Sequence, residues 1–391
     1  MPALDGTLVV DLGRFVAGPW CGQLLAGLGA DVIRVERPGG GEDREIYPVG
    51  RDDVGAYYHQ CNRGKRSLTL SPTKPAGREV LGRLVDRADI IVANVPDSVL
   101  VAMGIDWPTL HARNPRCILA TITMFGNTGP YAGRVGFDGL GQAMSGANYL
   151  SGPEGVPTKT FVPWVDYGTA ALTAMAAVAA LYERNRTGIG QRVEGALAAT
   201  AITASGFAMV EQSAASPHRT STWNRHPAAG PCDIIATADG HVQVQVIGDV
   251  QFATWAKLVD RPDLVDDPRF SSDITRGRHG VELSTIASEW CATRTTAEIM
   301  NEFAAVRLPV GPVLSPQQVL DDPHLGTQFF EPATIDGVDI PVTTPLMPVR
   351  MPGLKPLGDR APSLGEHTND VLAWLGYSEP EIATLRVDSI V

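Results

Sequence analysis

Cysteine is scarce: five residues (Cys21, Cys61, Cys117, Cys232, Cys291) are scattered over 391 positions, and no CxxC occurs. An odd count without close spacing argues against a disulfide framework and against structural zinc, so free thiols in a reducing cytoplasm are expected. Basic charge is also short, with 32 Lys and Arg against 43 Asp and Glu and a net charge of −11. That balance argues against nucleic acid as a partner, because phosphate binding calls for a basic surface. It leaves room for a phosphorylated small molecule in a local basic pocket. The start, MPALDGTLVV, has no basic run, so no signal peptide is expected. The longest apolar helix-like stretch, GTAALTAMAAVAALY at 168–182, is too short and too alanine-rich for a bilayer and reads as a buried core helix. His59, His218, His226 and His241 have no second ligand at metal spacing, so no metal is expected. A dinucleotide loop is missing as well. The first strand–helix turn spaces its glycines as Gly13, Gly18 and Gly22, not as G-x-G-x-x-G, and NAD is not supported.

What is present is alternation. Short β-branched runs at 7–12, 31–36, 67–70, 89–95 and 117–123 are separated by helix-like stretches such as WCGQLLAGLGA and PAGREVLGRLVDRA. Strands alternating with helices predict an α/β fold with a parallel, Rossmann-like sheet. Pro19 in AGP is expected at the first helical position, where its missing N–H costs nothing. From 167 to 213 the chain reads as two long Ala-rich helices around a Gly-punctuated turn and strand. The texture changes after TSTWNRHPAAGP: CDIIATADGHVQVQV alternates about an Asp-Gly turn, a hairpin signal. Helices near 250–260, 280–291 and 296–306 follow. The expected division is a large domain of 1–222 completed by 322–391, and a small α+β domain of 223–321. The Pro-rich stretch at 341–356 is expected to wrap a surface or link domains. A basic group, Arg34 and Arg37 with Arg63, Lys65 and Arg66 of NRGKRS, is either a phosphate site or a solvated run.

Five motifs carry a resemblance: LDGTLVVDLGRFVAGPWCGQLLAGLGADVIRVERPG, NRGKRSLTL, FGNTGPYAGRVGFDGLGQAMSG, VDYGTAALTAMAAVAALYERNRTGIGQ and PHLGTQFF. In this order, over nearly the full chain, they resemble the class III CoA-transferase family. That family includes formyl-CoA, carnitine and bile-acid CoA-transferases and the related α-methylacyl-CoA racemases. The resemblance implies an interlocked homodimer in which each chain has a Rossmann-like large domain and a small domain. It implies acyl-CoA and carboxylic acid substrates, coenzyme A as part of the substrate with no tightly bound cofactor, and no membrane. It places CoA at Phe15, Val16, Arg37, Leu70, Asn94, Val95 and Met103.

It also places the nucleophile at Asp166, in WVDYGTAALTAMAAVAAL. An aspartate just before an Ala-rich helix is kept ionised by the helix N-terminus, or is simply its N-cap. An ionised carboxylate there can attack a thioester and form an acyl-aspartyl anhydride. Trp164 and Tyr167 flank it as walls of an acyl pocket or as plain packing. With Phe161 and Phe137, Trp164 favours an apolar acyl group, while succinyl-CoA is a common donor among bacterial relatives. Oxyanion donors are expected near Gly136 or Gly139, or in the small domain, where only Gly230 stands in place of a glycine-rich loop. Arg225 and His226 are candidates to meet an acceptor carboxylate.

Two departures from the family pattern matter. Racemases carry a His-Asp pair where this chain has Phe137-Asp138, and phenylalanine takes no proton. The transferase reading is therefore preferred over a racemase or a non-catalytic CoA-binding relative. Asp138 remains as a hydrogen-bonding support or as the N-cap of the helix beginning GLGQAMSG. Ala102, where some transferases carry arginine, and Pro96-Asp97-Ser98, where the common pattern is close to RPG, shift the phosphate contacts toward Lys74 or the RGKR group.

Overall fold

The computed structural model describes residues 1–50 and 54–391. Six parallel strands form one sheet in the order β3-β2-β1-β4-β5-β6. They are β1 (Leu8–Asp11), β2 (Asp31–Glu36), β3 (Lys65–Thr69), β4 (Ile90–Ala93), β5 (Ile118–Thr123) and β6 (Arg192–Ala196). The central strands β1, β4 and β5 are buried almost throughout, as a sheet covered on both faces requires. Alternate residues of one strand serve opposite layers. Val10, Ile33, Ile91 and Leu119 pack with Leu81 and Leu84 of α3 (Pro75–Val85) and with Val371 and Leu372 of the closing helix Thr368–Trp374. Val9, Val32, Ile90 and Ala120 pack with Cys21 and Leu25 of α1 (Ala17–Gly27) and the alanine stripe of a long helix, Trp164–Thr187. Each fully enclosed Val or Ile contributes roughly 1.5–3 kcal/mol.

The remaining helices of this layer are α2 (Ala56–Asn62), α4 (Asp97–Met103), α5 (Trp107–Arg113), α6 (Asp138–Met144), α7 (Trp164–Thr187) and α8 (Leu197–Ala204). At 24 residues α7 is long and apolar enough to cross a bilayer, yet Ala170, Ala174, Ala177 and Leu181 are buried in the protein core. Pro19 is the third residue of α1, not the first, and still lies in the first turn, where its missing N–H costs nothing. The second Ala-rich stretch is two helices, α8 and α9 (Gly206–Ala215), broken at Ser205.

Two compact units emerge: 1–145, 161–207 and 327–391 form the first, and 146–160 with 208–326 form the second. The composition change at 223 therefore falls inside the second unit, which also takes in the excursion 146–160. The second unit contains the Asp239-Gly240 hairpin, β7 (Cys232–Ala236) with β8 (His241–Gln245), extended antiparallel by β9 (Val310–Pro312). Its core is Phe252, Trp255, Phe270, Leu283, Ile299 and Phe303.

The basic group is spent inside the first unit. Lys65 is buried against Asp11 at 2.6 Å and also donates to Pro19 O and Asn62 Oδ1. Arg63 donates to Glu331 (2.7 Å), Pro345 O and Gly358 O, tying the returning C-terminal chain to the sheet. Arg34 pairs with Asp43 and Arg44 with Glu36, while Arg66 pairs with Asp31. Buried cations require such partners, so Arg34, Arg63 and Lys65 are structural; Arg66 and Arg37 are more exposed and pair at the surface with Asp31 and Glu42.

Candidate active site

The sheet order reverses between β1 and β4, and in open parallel sheets ligands bind beyond the carboxyl ends of the strands at that reversal. A cleft of ≈ 510 Å³ opens there. Its walls come from the turn after β1 (Arg14, Phe15, Val16), the end of β4 (Asn94 to Asp97), the segment after β5 (Met124 to Phe137), and Asp166. All of these belong to the first unit.

The turn after β1 is compact. Gly13 and Gly18 touch backbone to backbone: a Cβ on Gly18 would meet Gly13 Cα at 2.7 Å and the Asn94 carboxamide at 3.1 Å. Phe15 adopts the left-handed region at φ 61°, which costs a side-chain-bearing residue roughly 1–2 kcal/mol. Two anchors hold it. Gly13 N–H donates to the buried Asp11 carboxylate (2.7 Å). The Asn94 carboxamide grips Arg14 from both sides, accepting its N–H at 2.7 Å and donating to its carbonyl at 2.8 Å. The Phe15 ring meets Phe137 edge-on at 5.5 Å. Among the described residues the N–H groups of Phe15, Val16, Ala17 and Gly18 have no acceptor, so the start of α1 presents a row of open donors at the cleft.

Asp166 is the third residue of α7, behind the cap position Pro163, which has no side-chain donor or acceptor. The sequence expectation placed it before the helix, held ionised by the helix N-terminus. The structure gives that electrostatic position to another residue. Asp138, buried as the first residue of α6, accepts from the N–H of Val165 (2.8 Å) and of Asp166 itself (3.1 Å), and Gln142 Nε2 donates to its other oxygen. Asp138 thus caps α7 from outside the helix. The positive end of the helix is already used, and among the described residues no donor or cation contacts the Asp166 carboxylate. Burial first, then the Asp138 charge, push the Asp166 carboxyl up to about 7. Tyr167 packs edge-on against Trp20 at 5.4 Å, and its phenol, shared with Cys61, is pushed upward by burial and stays neutral. Trp164 packs on the core and Phe161 is exposed away from the cleft walls.

Of the residues the resemblance assigned to CoA, Phe15, Val16, Asn94 and Val95 line the cleft. Four lie elsewhere. Arg37 is an exposed partner of Glu42, and the Leu70 side chain is fully enclosed in the core. Lys74 donates to the carbonyls of Asp388 and Ser389, and Met103 packs against the core beneath α4. Gly136 lines the cleft, whereas Gly139 lies within α6. The cleft's own cations are Arg14, paired with Glu42, and Arg134, which stacks over Tyr131 and has no acidic partner among the described residues. Sequence reading passed over Arg134; its lone cationic place in GPYAGRVG, between Gly133 and Gly136, was the available signal.

Known proteins resemble this chain over nearly its full length. A model of CoA-transferase family III matches residues 4–368. The chain is 34% identical to succinate–glutarate CoA-transferase of Agrobacterium fabrum, covering 96% of each chain. It is also 34% identical to succinyl-CoA:mesaconate CoA-transferase of Haloarcula hispanica, over the whole of both. A solved CaiB/BaiF family protein from Brucella suis superposes with a TM-score of 0.83 at 32% identity, over 96% of this chain and 99% of that one. The chain belongs to CoA-transferase family III and is a CoA-transferase.

Proposed function

We propose that this enzyme moves CoA from succinyl-CoA to a second carboxylic acid through a covalent intermediate on Asp166. The observation that carries the reading is a half-buried carboxyl, without a donor among the described residues, in the same cleft as a row of open backbone N–H groups. The Asp166 carboxylate attacks the thioester carbonyl; a C–O bond forms, the C–S bond breaks, and CoA leaves as thiolate. The thiolate attacks the aspartyl carbonyl of the anhydride, releasing the donor acid and leaving an aspartyl–CoA thioester. The acceptor carboxylate attacks that thioester, forming a new anhydride and freeing thiolate. Attack on the acceptor carbonyl then yields the new acyl-CoA and restores Asp166. Each tetrahedral oxyanion needs donors already in place, and the N–H groups of Phe15 to Ala17 are suited to supply them. Succinyl-CoA as donor and a dicarboxylic acid as acceptor rest on the names of the relatives.

The carboxyl poised near 7 also suits a general base, which favours a second reading as an α-proton epimerase. Phe137 and a cleft lining without histidine count against it. One experiment separates the two. The protein is incubated with an acyl-CoA panel including succinyl-CoA, treated with hydroxylamine, and mapped by peptide mass spectrometry. A hydroxamate on Asp166 that needs acyl-CoA is the expected result. Its absence, with solvent deuterium entering a 2-methylacyl-CoA, would overturn the transferase mechanism.

The interlocked homodimer is part of the same proposal. Leu172, Met175 and Tyr182 on α7, Ile202 on α8, and Phe207 on α9 are exposed in the single chain, and α9 buries no residue at all. Apolar surface on that scale calls for a cover. Light scattering is expected to give twice the chain mass; a monomer at micromolar concentration would refute the dimer. A cytoplasmic location belongs with the five buried free thiols and is checked by fractionation.

A further inference from the structure

We infer that Asn94 is a positioning residue that holds the Phe15 turn in its strained form. The inference rests on Asp166 being the acylated group, and it changes the role that resemblance gives Asn94. Both polar atoms of its carboxamide are committed to one residue: Oδ1 to Arg14 N–H at 2.7 Å and Nδ2 to Arg14 O at 2.8 Å. The carboxamide is thereby fixed in plane and orientation by the turn itself, with one N–H and one lone pair left over. The clamp is placed where the sheet is stiffest, just past the end of β4, whose neighbour β1 runs directly into the turn. The left-handed Phe15 follows the clamped residue immediately, and the open N–H groups of Phe15, Val16 and Ala17 come next.

Strain of this kind persists only where surrounding structure over-determines it, and it concentrates where backbone must be aimed. Asp11 holds the turn at Gly13 and Asn94 holds it at Arg14, so the two anchors bracket the point of strain from the strand side. The carboxamide lies so near Gly18 that a Cβ there would meet it at 3.1 Å, so the absence of a side chain at Gly18 is what admits the clamp. Without the clamp the turn relaxes, the row of donors turns away from the cleft, and acylation of Asp166 slows. CoA itself, gripped along its length by the rest of the cleft, is held nearly as before.

The test uses the full-length chain carrying Asn94→Ala and, separately, Asn94→Asp, which keeps the side-chain shape and the acceptor but loses the donor. Three quantities are read: single-turnover acylation of Asp166 by saturating succinyl-CoA, the dissociation constant of free CoA, and hydrogen exchange at the Arg14 amide. The expected result for Asn94→Ala is acylation slower by roughly 10²-fold, the loss typical of removing an oxyanion donor. CoA affinity stays within about threefold, and Arg14 exchange accelerates at least about tenfold as its acceptor disappears. Asn94→Asp falls between the two and remains readable if the alanine variant does not fold. CoA binding weakened at an unchanged acylation rate would make Asn94 a ligand and overturn the inference; so would unchanged exchange at Arg14. If the wild-type chain takes no acyl group, the Asp166 mechanism fails, while exchange still decides the clamp.

Discussion

Asp166→Asn is expected to lower the rate of CoA transfer by roughly 10⁴-fold or more, as loss of a covalent nucleophile does in other enzymes. Affinity for free CoA should change little, because the substitution exchanges one carboxyl oxygen for an amide nitrogen of similar size and leaves the rest of the cleft lining in place. The same variant should fold more stably than the wild type at alkaline pH. Burial raises the folded-state value of Asp166 to about 7, while an unfolded aspartate sits near 3.9. Below about pH 4 both states carry the proton and the two proteins differ little. Between about 4 and 7 the unfolded chain is ionised and the folded chain is not, so wild-type stability falls as pH rises. Above about 7 the whole penalty is present. Discounted for residual solvent contact, it is of order 2 kcal/mol, and asparagine does not incur it. Thermal denaturation at pH 5 and pH 8.5 checks this: the margin in favour of Asp166→Asn should be small at the first and several degrees at the second. A variant less stable at both values would mean that Asp166 holds the fold together and is not strained for chemistry.

That trade between stability and reactivity lies outside what the sequence displays. The sheet was legible because its signal is local: VV in β1, IIV in β4 and ILATI in β5 are short apolar runs that only a covered parallel sheet can bury. The hairpin at Asp239-Gly240 was legible for the same reason. The ionisation of Asp166 was not. Its helix start was visible, and a helix start favours an anion, but the N–H groups are claimed by Asp138, 28 residues earlier in the chain. The basic group failed similarly. Arg63, Lys65 and Arg66 were visible as cations, while their partners Glu331, Asp11 and Asp31 lie 35 to 268 residues away in sequence. Charge that looks free in one dimension is paired in three. Arg134 is the reverse case, an inconspicuous arginine in the cleft lining that has no acidic partner among the described residues.

Asp138 connects these points, and the second large effect is expected there. Asp138→Ala leaves the N–H groups of Val165 and Asp166 without an acceptor, a cost of about 1–3 kcal/mol for each, and takes from Gln142 one of its partners. The first turn of α7 should loosen, and acylation of Asp166 should fall by roughly 10²-fold or more, since about 1 Å of misplacement costs that much. Asp138→Asn separates cap from charge. An asparagine oxygen can still accept from the helix while Gln142 turns its own oxygen to the new amide, so α7 keeps its start. What is lost is the negative charge that helps raise Asp166. In the wild type, kcat/KM for the acyl-CoA donor should rise with pH through about 7 as the carboxyl ionises, then level off. In Asp138→Asn that rise should move to lower pH, by up to about one unit, because a like charge has gone from beside the nucleophile. The plateau should drop only modestly, since a less basic carboxylate is a weaker nucleophile. In Asp138→Ala the plateau should collapse. A profile for Asp138→Asn that stays at the wild-type position would show that burial alone sets the ionisation of Asp166 and that Asp138 serves only as a cap.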